Sequence, residues 1–135
     1  MIKLKFNIPL YDFDVTLLQI ESKGDKEDVV KFMKGIKCQE QFITGVTDYI
    51  EKGAINGGET YRNFDLRKIL VIFCPMKNES TRAEVYSHEK RHIEDRVMQH
   101  ASVDDIESAG LLAGFLGRKF YQFMQLVKKD SNGNR

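Results

Sequence analysis

The sequence predicts an α+β domain, and three features predict it. Ile2, Leu4, Phe6 and Ile8 alternate with polar residues, the period-two pattern of a half-buried strand. KILVIFCP, residues 68–75, is a continuous β-rich run that ends at proline, and a run apolar on both faces suits an inner strand of a sheet. From about Glu79 to Lys128 the chain reads as two long helices. The expected architecture is a small sheet of about three to four strands packed against helices.

Taken in order, the first strand ends at Pro9, and Val15 to Ile20 is again strand-like, so the two should pair as a hairpin with a longer loop. Asp25 follows Gly24 and has Asp28 three residues on, a start signal for a first helix over DKEDVVKFMKGIK. Phe42, Val46, Tyr49 and Ile50 recur at helical spacing and predict a second helix, closed by the turn residues INGG at 55–58. Ser102, with Asp105 three residues later, should cap the last long helix. That helix, VDDIESAGLLAGFLGRKFYQFMQLV, is apolar almost all round and should be the central buried one. One compact domain over residues 1–128 and a flexible polar tail over 129–135 account for the whole chain.

Composition narrows the function classes. Twenty-one lysines and arginines against 20 acids give no net field toward nucleic acid or an acidic membrane surface. The N-terminus lacks the features of a signal peptide, and the longest apolar block, residues 109–117, is about half of the roughly 20 residues that a spanning helix needs. Cys38 and Cys74 lack CxxC spacing and read as free thiols. A cytoplasmic chain with neither a nucleic-acid nor a membrane partner is expected.

One short stretch carries chemistry. In SHEKRH, residues 87–92, His88 and His92 lie one helical turn apart with Glu89 beside them, which satisfies H-E-x-x-H. Two imidazole nitrogens at that spacing can bind one ion at about 2.0–2.1 Å, and the adjacent carboxylate can take a proton from water that the ion has acidified. On a helical wheel Glu84, Ser87, Arg91, Glu94 and Asp95 face one way, while Val85, His88, Glu89, His92, Ile93 and Val97 take the opposite arc. The histidines are therefore expected to point inward, where a cation would satisfy them. The bland alternative is a hydrogen-bonded His/Glu cluster without metal.

A third protein ligand would come from downstream, where His100, Asp104, Asp105 and Glu107 are available. Glu107, Gly110, Gly114, Gly117 and Tyr121 share a stripe of the last helix. Glycines cost a helix roughly 1 kcal/mol each relative to alanine, so close approach to the HEKRH helix is the expected reason for them. Glu107 would then project toward the histidines; otherwise it is a first-turn acid favoured by the helix dipole. His100 reads most simply as a cation at a helix C-terminus.

HEKRH followed by IESAGLLAGFLG resembles small gluzincin-type metallopeptidases, in which an HExxH helix precedes a second helix bearing a glutamate ligand. It is similar as well to compact HExxH proteins of phages and mobile elements. The resemblance covers residues 85 to 121, roughly the last third of the chain. It implies a zincin-like fold and Zn²⁺ as cofactor. It also implies His88, His92 and Glu107 as zinc ligands, Glu89 as general base, and hydrolysis of a peptide or protein substrate. Two departures stand out. Leu111 sits where many gluzincins carry an acid that orients a histidine, and no further histidine is present to steady an oxyanion. Tyr121 and Arg118 are the residues that helix spacing offers for the latter role. A binding or regulatory module that keeps such a fold and its ion without turnover is the rival reading, and a metal-free structural domain is another.

Overall fold

The computed structural model describes residues 1–54 and 56–133. Strands β1 (Ile2–Ile8) and β2 (Phe13–Gln19) form the expected antiparallel hairpin, with Phe6 opposite Val15. Helices α1 (Lys26–Gly35) and α2 (Glu40–Glu51) follow, then strands β3 (Gly58–Asn63) and β4 (Lys68–Phe73). Helices α3 (Glu79–Ala101) and α4 (Ile106–Gly133) complete the chain. The sheet order is β1-β2-β4-β3, with β2 and β4 parallel and β3 antiparallel to β4. This is an α+β fold, a four-stranded mixed sheet packed against helices.

The crossover from β2 to β4 explains why the KILVIF run is apolar on both faces. Ile69, Val71 and Phe73 point to one side of the sheet, into a core with α3 and α4. Leu70, Ile72 and Cys74 point to the other, into a second core built by Val29 and Met33 of α1 and by Ile43, Val46 and Ile50 of α2. Helices thus cover both faces, and β4 lies inside. On the first face α3 lies against β3 and α4 against β1, side by side. Phe73 packs its ring against Tyr86, Phe120 and Phe123, which ties β4 to both helices.

Strand β3 is the element that the hydrophobic pattern hides. GETYRN carries no large aliphatic residue, because an edge strand under one helix needs little apolar area. Several boundaries also differ from the sequence expectation. Ser102 does not cap α4; it ends α3 in the left-handed region at φ 55°, and Asp105 caps α4 by accepting the backbone N–H of Ser108 at 2.7 Å. Asp25 reaches backwards, its carboxylate accepting from the backbone N–H groups of Glu21 and Ser22, so it orders the turn before α1. Helix α2 stops at Glu51, ahead of INGG, and Gly53 takes φ +67° after it. Residue 55 of that tetrapeptide lies outside the described residues. Helix α4 runs on to Gly133, and residues 134–135 lie outside the described residues.

Helix α4 is not buried all round. Leu112, Leu116, Phe120, Phe123 and Val127 form one buried stripe, while Leu111 and Tyr121 are 70% and 64% exposed. No helix among the described residues is long and apolar enough to cross a membrane. Both cysteines are free thiols, Cys38 half-buried and Cys74 buried.

Two outcomes follow from the cores. Phe73→Ala should cost about 3–5 kcal/mol in urea denaturation, because it opens a cavity where β4, α3 and α4 meet. The second concerns alkali. Burial pushes the thiols of Cys38 and Cys74 up to about 11 from 9.0, and it raises the phenols of Tyr61 and Tyr86 as well. The fold favours the neutral forms, so the stability they contribute is full below about pH 9 and lost as pH rises through about 11. The urea midpoint should accordingly be lower at about pH 10.5 than at about pH 8, and a flat profile would count against this assignment.

Candidate metal centre

Helix α3 begins at Asn78, whose side chain accepts from the backbone N–H of Thr81 at 2.8 Å, a cap that fixes the helix register. Its core-facing residues are Tyr86, Glu89, Ile93 and Val97. Tyr86 donates its hydroxyl to Gln19 Oε1 at 2.8 Å, and Gln19 in turn donates to the carbonyl of Cys74 at 3.0 Å. This buried polar link locks α3 to the sheet just before the motif.

Glu89 is only 4% exposed. It lies against β3, where Thr60 Oγ1 donates to Glu89 Oε2 at 2.5 Å. Gly58 makes the approach possible: a Cβ there would stand 3.0 Å from Glu89 Cγ, 3.1 Å from Val85 Cγ1 and 3.2 Å from Phe73 Cδ1. A carboxylate in such a place needs a donor, and the threonine hydroxyl supplies it. Gly58 and Thr60 are contacts of Glu89 that sequence reasoning missed. The dipeptide Gly57-Gly58 reads as a turn, and nothing local says that its second glycine lies under a helix.

The two histidines lie beyond Glu89 on the same flank. His92 Nε2 and His88 Nε2 are 3.0 Å apart, and the rings meet edge to face with centroids 4.6 Å apart. Two nitrogens bound to one tetrahedral zinc stand about 3.3 Å apart, given bonds of about 2.0–2.1 Å, so the pair needs to open by only a few tenths of an ångström. His88, Glu89 and His92 each offer a ligand atom, all within 4.8 Å of one another, and this His-Glu-His group could hold a metal ion.

The expected inward-pointing arc is corrected in one respect. Glu89 is buried, but His88 is exposed and His92 half-buried. The helix packs on its Tyr86, Ile93 and Val97 face, so positions 88 and 92 fall at the rim of that face. Conversely Glu94, expected to face water, is mostly covered and paired with Lys90 at 3.3 Å.

The same geometry separates the histidines from α4. Lys90 is the residue of α3 that approaches Gly117, with its Cε 3.8 Å from where a Cβ on that glycine would lie. Glu89, one position earlier, approaches β3. At 100° per residue, His88 and His92 continue round the helix past Glu89, away from Lys90 and α4. Glu107, the third ligand implied by the gluzincin resemblance, is exposed in the first turn of α4 and is not among the clustered donors. Arg118 and Tyr121 are exposed on α4 as well, and the structure does not bring them to the histidine pair. Gly110 and Gly114 do not line a helix contact either, since a Cβ on either would meet nothing within 4 Å.

His100 serves elsewhere. Arg67 Nη1 lies 3.2 Å from His100 Nε2, and a guanidinium can only donate, so the imidazole nitrogen is the acceptor. Its ring packs against Phe13 and Phe64, while Arg67 also donates to the carbonyls of Tyr11 and Asp12. Glu59, on β3 between Gly58 and Thr60, holds its proton more readily than an ordinary carboxyl: partial burial raises it, Glu89 adds to that, and His92 opposes it.

Two substitutions test how Glu89 is held. Thr60→Val removes the donor and should cost about 1–3 kcal/mol in urea denaturation, with Thr60→Ser restoring most of it. Gly58→Ala forces a methyl group against Glu89 and should cost about 1–3 kcal/mol by overpacking. Equal stability of Gly58→Ala and the wild type would refute the close approach. No family model, curated protein or solved structure matches this chain, so the site stands on its own geometry.

Proposed function

We propose that this protein is a zinc-dependent hydrolase acting on peptide bonds, with His88 and His92 holding the ion and Glu89 as general base. The observation that carries the reading is the arrangement on α3: two imidazole nitrogens 3.0 Å apart beside a buried carboxylate oriented by Thr60. Zinc suits that donor set, and when bound it supplies Lewis acidity that acidifies water and polarises a carbonyl oxygen.

The chain's own residues do the rest. Glu89 takes the proton from the attacking water and returns it to the leaving amine. Thr60 donates to Oε2, which leaves Oε1 for that work and fixes the carboxylate plane. The rim position of the histidines keeps the site open to a large substrate. β3 is the last strand of the sheet, so its outer N–H and C=O groups are free to pair with an extended chain. That edge and the histidine flank of α3 lie on the same side of the molecule, which favours a peptide over a small compact substrate. As part of the same reading, the protein works in the cytoplasm, and of the ligands that the gluzincin resemblance implies it keeps the two on the HExxH helix.

One observation favours a second reading. The cluster holds three donors, and a catalytic zinc site uses three protein ligands while keeping a base apart from them. If Glu89 itself binds the ion, no base remains, and the protein is a metal-containing binding or regulatory module.

The two readings part on Glu89→Gln. Protein purified without chelator or histidine tag should carry about one zinc per chain by elemental analysis, and His88→Ala with His92→Ala should abolish it. Glu89→Gln should retain the metal and lose about 10²–10⁴-fold in hydrolysis of a denatured protein substrate. Loss of metal in that variant would make Glu89 a ligand and favour the module. Glu107→Ala should leave the zinc content unchanged, because α4 lies on the other flank of α3.

A further inference from the structure

On the face of the sheet opposite the histidines, a groove of about 1000 Å³ runs between α2 and β3. Aromatic rings stand on both of its walls. Phe42 and Tyr49 of α2 are 47% and 43% exposed, and Tyr61 of β3 stands across from them with its ring centroid 6.0 Å from that of Phe42. Phe42, Gly45 and Tyr49 fall at i, i+3 and i+7 on one face of α2. A Cβ on Gly45 would meet nothing within 4 Å, so the wall is open between the two rings. Phe42 and Tyr49 are thus large apolar side chains that the fold itself leaves uncovered.

The groove follows the free edge of β3 along the whole strand. Side chains of β3 alternate: Thr60 meets Glu89 on the α3 side, and Tyr61 packs into the core on the α2 side. A strand added along that edge alternates in the same way, so its residues pass in turn over the histidine flank and into the groove. The charge on the walls is uneven. Lys37 lines the groove and Arg62, on the Thr60 side of β3 with its guanidinium over the Phe64 ring, stands at the same edge; neither has an ion-pair partner among the described residues, and Glu59 is the single acid in the lining. An acidic residue beside an apolar one complements that surface.

We propose that this groove is a side-chain specificity site for an extended peptide segment of another protein, paired along the free edge of β3. It takes a bulky apolar or aromatic residue between Phe42, Tyr49 and Tyr61, with an acidic residue nearby on the same chain. This deepens the peptide reading above and rests on it for the placement of the chain along β3. The volume lies at the upper end of ordinary ligand sites, which span about 300–1000 Å³, and accommodates a large side chain together with its neighbours.

The test is a positional-scanning library of capped decapeptides, measured for binding to the immobilised wild-type protein and for cleavage in solution. Pools fixed with Phe, Tyr or Leu at one position should be enriched by about tenfold over Ala or Lys pools, with Asp or Glu preferred at a neighbouring position. Phe42→Ala should flatten the apolar preference. Gly45→Leu, which fills the open wall without removing a core residue, should do the same, and both variants should keep the wild-type zinc content. A wild-type profile with no apolar preference, or a preference unchanged in both variants, would overturn the proposal. Selective binding without cleavage would leave the groove standing and remove the peptidase reading. Cleavage without selectivity would do the reverse.

Discussion

Burying the Glu89 carboxylate costs free energy unless a donor meets it, and that requirement fixes how α3 lies on the sheet. The donor is Thr60, on the edge strand, and the approach is allowed by the missing side chain of Gly58. Three residues on two elements thus set the roll of α3 about its own axis. Once the roll is set, position 93 must point into the core and position 90 toward α4, and the two histidines are left at the rim on the β3 side. A roll large enough to bury His88 would swing Glu89 off Thr60 and Ile93 out of the core. The site's openness is therefore a consequence of how its carboxylate is held.

The apolar scaffold was legible because its signals are local. The alternation in β1, the apolar run of β4 and the helical spacing in α2 each follow from burial of that element's own residues, and each element formed where expected. β3 was not legible, since GETYRN shows no hydrophobic period; it is a strand because β4 offers it a ladder, a fact of tertiary structure. The HEKRH helix and the closeness of His88, Glu89 and His92 could be read from spacing alone. Their exposure could not. A wheel divides residues into arcs, but only the neighbouring strand decides where the buried arc ends.

The glycines of α4 show the same limit. A stripe of small residues on an apolar helix suggests a close helix pair, yet Gly110 and Gly114 face open space and only Gly117 comes near α3. The contact between the two helices is made instead by aromatic and aliphatic side chains such as Tyr86, Ile93, Leu116 and Phe120, and by the aliphatic stem of Lys90. The Lys90 flank of α3 approaches α4 at Gly117, whereas His88 and His92 lie round the helix on the other side of Glu89. Glu107, the ligand that the gluzincin resemblance implies, is exposed and is not among the clustered donors.

The arrangement has a chemical consequence for Glu89. In the role of base proposed above, Glu89 must be buried enough to stay oriented and exposed enough to reach a substrate, and an edge strand satisfies both conditions. One carboxylate oxygen accepts from Thr60, and a carboxylate oxygen of Glu89 lies within 4.8 Å of the histidine nitrogens. An inner strand in the place of β3 would have enclosed the carboxylate on both sides and left no room for an incoming chain. The HExxH helix lies over the last strand of the sheet, which pairs with no strand but β4 among the described residues, and Glu89 meets that strand beside the pair of imidazoles.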